Sequence, residues 1–416
     1  MSRIQLFLAC GSIFALALAL TTEPAQACGG LFCSASAPVN QAAERIVFSK
    51  HADGTVTAVV QIQYEGPSEE FAWVLPVPGV PDVEVSSDLA FTRLQQASNP
   101  QYNLTTQIEG NCLEQNFPQS SGAGGSFGGG GGAGGAGGGS VTVLAEGNVG
   151  PYDYVVIFPE ASSEEIGDVA VEWLLDEGYD VVPPGGDPAT VSAMLGSYLQ
   201  GGMNLIAFRL TKGNDEGTIR PIRITYETDQ PMIPIRPTAV AANDDMGVMV
   251  WVLGESRAVP VNYRSLVLNE ALIDWLTSAS NYNAVVIEAA NQAGGQGFVT
   301  ERAGPSADYE DVVVFPVERQ AWDRLVQDAP ALASEEVAIR SLRFSAWDGF
   351  EEVLEDFLPP PDVQALLECP GCGQPLTPFD TASFMAALEA NVIDPMLETD
   401  ELISSLPYAT RLYTTL

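Results

Sequence analysis

The chain is poor in positive charge. Lysine occurs twice, as Lys50 and Lys212, and histidine once, as His51; 17 Lys and Arg face 54 Asp and Glu, for a net charge of -37. Phosphate backbones and anionic lipid surfaces repel such a molecule, which excludes nucleic acid as a partner class. One histidine cannot build a zinc hydrolase site of several His ligands. Nucleophile-His-acid catalysis would have to run through His51, which stands between Lys50 and Asp53-Gly54 and reads as a solvated residue in a turn ahead of a strand. High acid with little Lys fits a surface adapted to saline water, where salt screens self-repulsion, and equally an ordinary acidic secreted protein. Calcium suits dense carboxylates, yet no acid-x-acid-x-acid-Gly loop followed by Glu occurs. Asn214-Asp215-Glu216-Gly217 reads as a hairpin turn. Acids are so abundant that no single pair of them is marked out. No metal and no cofactor are expected.

Long apolar runs are also scarce, and the one that stands out lies at the start. Arg3, the apolar stretch Phe7 to Leu20 and the small-x-small site Ala25-Gln26-Ala27 come in the order of a secretory signal peptide, so residues 1–27 are expected to be removed. The stretch is shorter than the roughly 20 residues that span a bilayer. The mature chain is expected to be soluble in the periplasm, on the outer surface or secreted, and not an integral membrane protein. Cys28 would then be the first mature residue; Gln26 is a poor fit to a lipidation signal there.

Cys10 leaves with the signal, and Cys28, Cys33, Cys112, Cys369 and Cys372 remain as disulfide candidates in an oxidising compartment. Cys369-Pro-Gly-Cys372 admits three readings: a local structural disulfide, a zinc knuckle completed by Cys28 and Cys33, and a redox pair. A redox pair opens a helix after a strand, whereas this one lies among prolines. A zinc site needs two further ligands, and the local disulfide needs nothing more.

Residues 120–140 are almost pure Gly, Ala and Ser and read as a flexible linker or a long loop within one fold. They divide the mature chain into a β-rich segment, 28–119, and an α+β region, 141–416. A phosphate loop is rejected there for want of Gly-Lys-Ser/Thr. Before the linker, Val56 to Tyr64 alternates as a half-buried strand, Phe71 to Val77 is a second strand, and Leu89 to Gln96 is a short helix. After it, Tyr154 to Phe158 is a strand. A helix follows, begun by a capping box at Ser162-Ser163-Glu164-Glu165 and closed at Gly178. Thr190 to Leu199 and Glu270 to Leu276 are expected to be helical. Asn204 to Leu210, Ile219 to Glu227, Met232 to Ala241, Gly247 to Leu253, Ala284 to Glu288 and Val312 to Phe315 are expected as strands, and helices prevail from Glu318 onward. Gly254-Glu255-Ser256-Arg257-Ala258 approaches a nucleophile elbow but lacks the last Gly and a following helix, so it reads as a strand-ending turn.

The fold class is therefore α+β, rich in antiparallel sheet, with helices concentrated toward the C-terminus. Three word pairs recur in order: Val60 to Glu65 with Ile222 to Glu227, Tyr152 to Pro159 with Tyr309 to Pro316, and Trp73-Val-Leu75 with Trp251-Val-Leu253. They leave two duplicated modules open against chance recurrence in a β-rich chain.

Cys28-Gly-Gly-Leu-Phe-Cys33, Glu44 to Phe48, Ile62-Gln-Tyr64, Phe71 to Pro78, Pro231 to Ile235, Val250 to Pro260 and Thr410 to Thr415 resemble the bacterial domain of unknown function family 2330. The resemblance implies export and implies no catalytic residue. Members tend to continue past the last of these segments, which implies a chain shortened or truncated at Leu416. Taken together, the expectation is a non-enzymatic envelope or extracellular protein that binds a partner or has a structural role. The alternative is an exported enzyme, a thiol-disulfide oxidoreductase or a carboxylate-based hydrolase.

Overall fold

A computed structural model of the chain describes residues 40–65, 72–105, 140–179, 181–182, 187–210, 217–218, 220–370 and 375–416. The expected signal peptide, Cys28, Cys33, Cys112, Cys372, the expected linker up to residue 139 and residues 214–216 of the expected turn lie outside these residues.

In chain order the strands and α-helices are β1 Asn40–Lys50, β2 Thr55–Glu65, β3 Ala72–Val77, β4 Asp82–Val85, α1 Asp88–Ser98, β5 Ser140–Val149, β6 Tyr152–Glu160, α2 Ile166–Asp176, α3 Pro188–Leu199, β7 Asn204–Leu210, β8 Gly217–Thr218, β9 Ile222–Glu227, α4 Ile235–Ala241 and β10 Ala242–Gly254. There follow β11 Arg264–Leu266, α5 Tyr282–Gln292, β12 Gly297–Pro305, α6 Pro316–Asp328, α7 Ser334–Ser341, α8 Phe350–Phe357, α9 Pro360–Glu368, α10 Thr381–Leu388, α11 Asp394–Ser404 and β13 Tyr408–Thr415.

Nine strands form one mixed sheet in the order β11-β12-β13-β10-β1-β2-β9-β4, with β8 beside β2, and four form an antiparallel sheet, β3-β7-β6-β5. Most pairings are antiparallel; β1 with β10 and β11 with β12 are parallel. Each sheet draws strands from both sides of residues 120–140: β1 pairs with β10, β2 with β9 and β3 with β7.

Period-two alternation splits every central strand between two cores. Ile46, Phe48, Val56, Ala58, Val60 and Ile62 meet Trp73, Leu75, Val156, Ile206 and Phe208 in the layer between the sheets. Val47, Val59, Met249, Trp251 and Leu253 point the other way, into a core with Phe344, Phe350, Phe384 and Ile393 of the C-terminal helical region. Val74, Val155, Ile157, Leu205 and Ala207 on the far side of the small sheet pack on α2 and α3. The order is thus helices, large sheet, small sheet, helices. The helix pair closes at glycine: a Cβ at Gly167 would lie 2.0 Å from the Ser192 carbonyl oxygen, so the backbones can approach only without it.

The α+β class, the antiparallel bias and the C-terminal helices agree with expectation; several elements do not. Ala284 to Glu288 lies in helix α5, where Val285, Val286 and Ala290 are the buried face and half-buried or exposed residues fill the rest. The short run of branched residues mimics a strand, but its flanks carry a helix. Met232 to Ala241 ends as helix α4, because Pro237 falls in the first turn, where a missing N–H costs nothing. Val312 to Phe315 is no strand: the Val314 amide donates to Asp400 Oδ1 at 3.1 Å and the Phe315 amide to Glu318 Oε2 at 3.0 Å, so those donors serve side chains instead of a ladder. Glu270 to Leu276 makes two short 3-10 turns rather than one helix. The capping box does not form as expected: α2 starts at Ile166, and the Ser162 hydroxyl donates to the Glu165 carboxylate at 2.8 Å. Strands β12 and β13 were not anticipated at all. The paired words Tyr152 to Pro159 and Tyr309 to Pro316 take different conformations, β6 in the first case and a 3-10 turn leading to α6 in the second.

Candidate functional site

Beside the large sheet, near the C-terminal end of α1, lies an open cavity of about 530 Å3. Its floor comes from the helix-facing side of the sheet, Met249 on β10, Glu301 on β12 and Arg411 and Tyr413 on β13; its rim comes from Gln95 on α1, Asn99 to Asn103 after it, Ser278 to Ser280 ahead of α5, and Tyr282 and Asn283 within it.

Glu301 reaches the floor beside an irregularity in the ladder. Thr300 pairs with Leu412 and Arg302 with Arg411, which leaves Glu301 as the extra residue of a β-bulge. Alternation along β12 turns Phe298 and Thr300 toward the small sheet and Glu301 toward the Arg411 side, and the extra residue brings Arg302 opposite Arg411 as well. The Glu301 carboxylate lies 2.6 Å from Arg411 Nε, with both side chains almost wholly buried, at 1% and 2% exposed. The contact is an ion pair without the alignment of a full hydrogen bond, so neither atom gains one. Other groups compensate. Tyr282 donates its hydroxyl to Glu301 Oε1 at 2.6 Å. Arg411 Nη1 donates to Ser98 Oγ at 2.8 Å and Nη2 to Asn99 Oδ1 at 3.0 Å. The Arg411 guanidinium also lies over the Trp251 ring, 5.4 Å from its centroid, and Trp251 Nε1 donates to Ser98 Oγ at 3.1 Å. A cation at the C-terminal end of α1 is favoured by the helix dipole as well.

Burial pushes the Glu301 carboxyl above its ordinary value, and Arg411 and the Tyr282 hydroxyl pull it back. Burial, the Glu301 charge and the bond to that carboxylate hold the Tyr282 phenol far above the usual range. The phenol therefore stays protonated and donating. Both carboxylate oxygens are engaged and shielded, which suits a fixed floor better than an acid or base that must exchange protons.

The rim is rigid by local bonding. Ser278 and Ala279 both adopt left-handed backbone, φ 53 and 63, which L residues accept only when the surroundings impose it. Asn281 supplies that constraint: its Oδ1 accepts from the Asp274 amide at 2.8 Å and its Nδ2 donates to the Leu272 carbonyl at 2.8 Å. Ile273, Ala279 and Val285 form a small core beneath, against which Tyr102, Trp275 and Tyr282 pack. Tyr102 meets Trp275 edge-on at 5.4 Å and Tyr282 at 5.7 Å. Tyr413 donates to Asn283 Oδ1 at 2.7 Å.

None of these residues was singled out from sequence as a site residue, although Arg411 and Tyr413 fall in the Thr410 to Thr415 segment that carries the family resemblance. Charged residues inside Gly297–Pro305 and Tyr408–Thr415 masked two strands, and the pairing of Glu301 with Arg411 has no signature in a single sequence. The residues that were singled out fall elsewhere. His51 follows β1 in the turn before β2, as expected, and its Nε2 lies 2.9 Å from Thr57 Oγ1. Gly254 to Ala258 ends β10 without a following helix; Arg257 reaches Thr300 Oγ1 at 3.1 Å and the Ala258 amide donates to Thr410 Oγ1 at 2.9 Å. Cys369 follows α9 and is disulfide-bonded; the other candidate cysteines lie outside the described residues. Among the described residues no group of three or more His, Cys, Asp or Glu could hold a metal ion, and no helix is long and apolar enough to cross a membrane.

A second polar cluster lies at the opposite end of α1. Gln61 Nε2 donates to Asp88 Oδ1 at 2.5 Å, Arg45 Nη1 donates to Gln61 Oε1 at 2.9 Å, and the Ser87 hydroxyl donates to Asp348. The Asp88 carboxyl is pushed up to about 7, by burial first and by the nearby Asp348 charge second. Glu44, on the face of β1 that looks toward the small sheet, is buried and likewise pushed up to about 7, eased only by a hydrogen bond with Thr238.

The pattern of a family described as an uncharacterized protein conserved in bacteria (DUF2330) matches residues 23–314. No curated protein matches the sequence. Among solved structures, the crystal structure of baculovirus P35 is similar at 9% identity over 57% of this chain and 72% of that one, with a TM-score of 0.25, a likeness too weak to carry any argument.

Proposed function

We propose that this chain, which belongs to the family of uncharacterized bacterial proteins DUF2330, is an exported binding protein and that the cavity over the Arg411–Glu301 pair takes its ligand. The buried Arg411–Glu301 pair at the floor carries this reading. A buried ion pair adds little net stability. What the arrangement supplies is a floor held in place from β10, β12, β13 and α1 at once, beneath a rim constrained by Asn281. Ligand sites are concave, pre-formed and placed where elements converge, with volumes of about 300–1,000 Å3. The engaged state of Glu301 favours holding over turnover. Export rests on the charge, apolar run and cleavage site at the N-terminus.

A thermal-shift screen of uncharged polar small molecules tests the binding reading. Hits that stabilise the native protein by several degrees and lose that effect in Tyr102→Ala and in Asn283→Ala are expected, since ligand bound only to the folded state raises its melting temperature. Hits that persist undiminished in both variants, or a screen with none, contradict it. Intact mass of protein from its own envelope tests export: mature chain beginning at Cys28 is expected, and retained Met1 to Ala27 refutes it.

A further inference from the structure

We infer that the ligand of this cavity is a neutral saccharide. The inference rests on the binding reading above and specifies its substrate class.

Charge comes first. In a chain of net charge -37 the described residues that line the cavity include only two ionised groups, Glu301 and Arg411, and these lie against each other. Both are desolvated and already paired, so neither is free to neutralise a ligand carboxylate or ammonium. A charged ligand would have to leave water without a counter-charge, which is costly. The cavity therefore selects against ions of either sign.

The exposed lining selects for hydroxyls. Gln101, Asn103, Ser278, Ser280 and Asn283 are solvent-exposed at the rim. Amide side chains carry two donors and an acceptor with two lone pairs, and hydroxyls both donate and accept. Such a set matches a ligand whose own groups do both, which is the chemistry of a polyol ring. A purely apolar ligand would strip water from these groups on entry, at a cost of about 1–3 kcal/mol for each donor or acceptor left unpaired.

The aromatic cluster supplies the remaining surface. Half-buried Tyr102 stands in the cavity wall, braced by Trp275 and Tyr282, and so offers a rigid apolar surface beside the amides. A pyranose presents an apolar C–H face and a polar rim, and this juxtaposition complements both. Two-angle aromatic side chains fixed by packing lose little entropy on contact. The volume fits a mono- or disaccharide unit within the usual range of ligand sites.

The test is an array of neutral oligosaccharides from bacterial envelope polysaccharides and plant glucans, printed beside their uronic-acid and sulfated counterparts. It is probed with the native protein and followed by calorimetry on the sugars retained. Binding to one or more neutral glycans is expected, with affinity at least tenfold weaker in Tyr102→Ala and in Asn283→Ala. Circular dichroism melts of both variants matching wild type keep the loss from being one of folding. Gln101→Ala, at an exposed position, repeats the test should either variant unfold. Retention of charged glycans alone, neutral binding unaffected by the variants, or no retention across the array overturns the inference. If the array is blank while the thermal-shift screen yields non-sugar hits lost in Tyr102→Ala, the saccharide assignment fails and the cavity reading stands. If both are blank, both fail.

Discussion

Arg411→Met is expected to cost about 3–5 kcal/mol of folding stability, the penalty for leaving a buried carboxylate without its partner. The arginine is one of the largest fully buried side chains described, and it joins β13 to β12 and to the end of α1. Removing it strands Glu301 with only the Tyr282 hydroxyl and removes the cation from the Trp251 face. The double variant Arg411→Met/Glu301→Leu should recover much of the loss, because an apolar pair of similar volume carries no desolvation penalty. Urea unfolding of the two single variants and the double variant closes the cycle. A double variant that loses the sum of the two single losses would show the pair uncoupled. Acid should also soften the single Arg411 defect: the Glu301 carboxyl titrates above its ordinary value already, and without Arg411 it would rise further.

Acidification from pH 8 to pH 5 should stabilise the native protein, and Asp88→Asn and Glu44→Gln should each remove a distinct part of that gain. Both carboxyls sit at about 7 in the folded chain, well above the 3.8 and 4.5 of an ordinary Asp and Glu, with burial the largest cause. Between those ordinary values and about 7 the folded state binds protons that the unfolded chain has released. Stability therefore falls as pH rises through this window and is lowest above it. Between pH 8 and pH 5 a carboxyl titrating at about 7 in the folded chain contributes about 3 kcal/mol at most. The many surface acids also repel one another less at pH 5, so the comparison that decides is variant against wild type, with melting temperatures followed across the range. If both variants track the wild-type pH profile in parallel, the two groups are not the ones that titrate.

How far the sequence disclosed this arrangement depends on which side chains carry each element. Thr55–Glu65 and Asn204–Leu210 alternate or run apolar, so burial wrote their pattern directly into the residues. Ala284 to Glu288 misled because three consecutive branched residues satisfy a strand as well as the buried side of a helix. Length decides there, and the flanks Tyr282 to Gln292 supply it. The cavity was illegible for a different reason. Its floor uses Glu301 and Arg411, which lower the apolar signal of the two strands that hold them, and its rim uses amides that read as loop. Only the strand pairing shows that Glu301 faces Arg411. Polar residues at interior positions are local violations of the pattern that builds a fold, and such violations concentrate at functional sites. Tyr-Ala-Thr-Arg-Leu-Tyr-Thr-Thr at residues 408–415 did carry one available hint: a lone arginine in an otherwise strand-forming run.

Hydrogen exchange read by mass spectrometry, with and without a glycan retained on the array, addresses the central claim most directly. The chain is predicted to gain protection in residues 99–103 and 278–283 and on β12 around Glu301, with the outer strand β5 of the small sheet unchanged. Protection confined to the small sheet or to α2 and α3, with the cavity segments exchanging as before, would contradict the assignment of the cavity over Arg411 and Glu301 as the binding site.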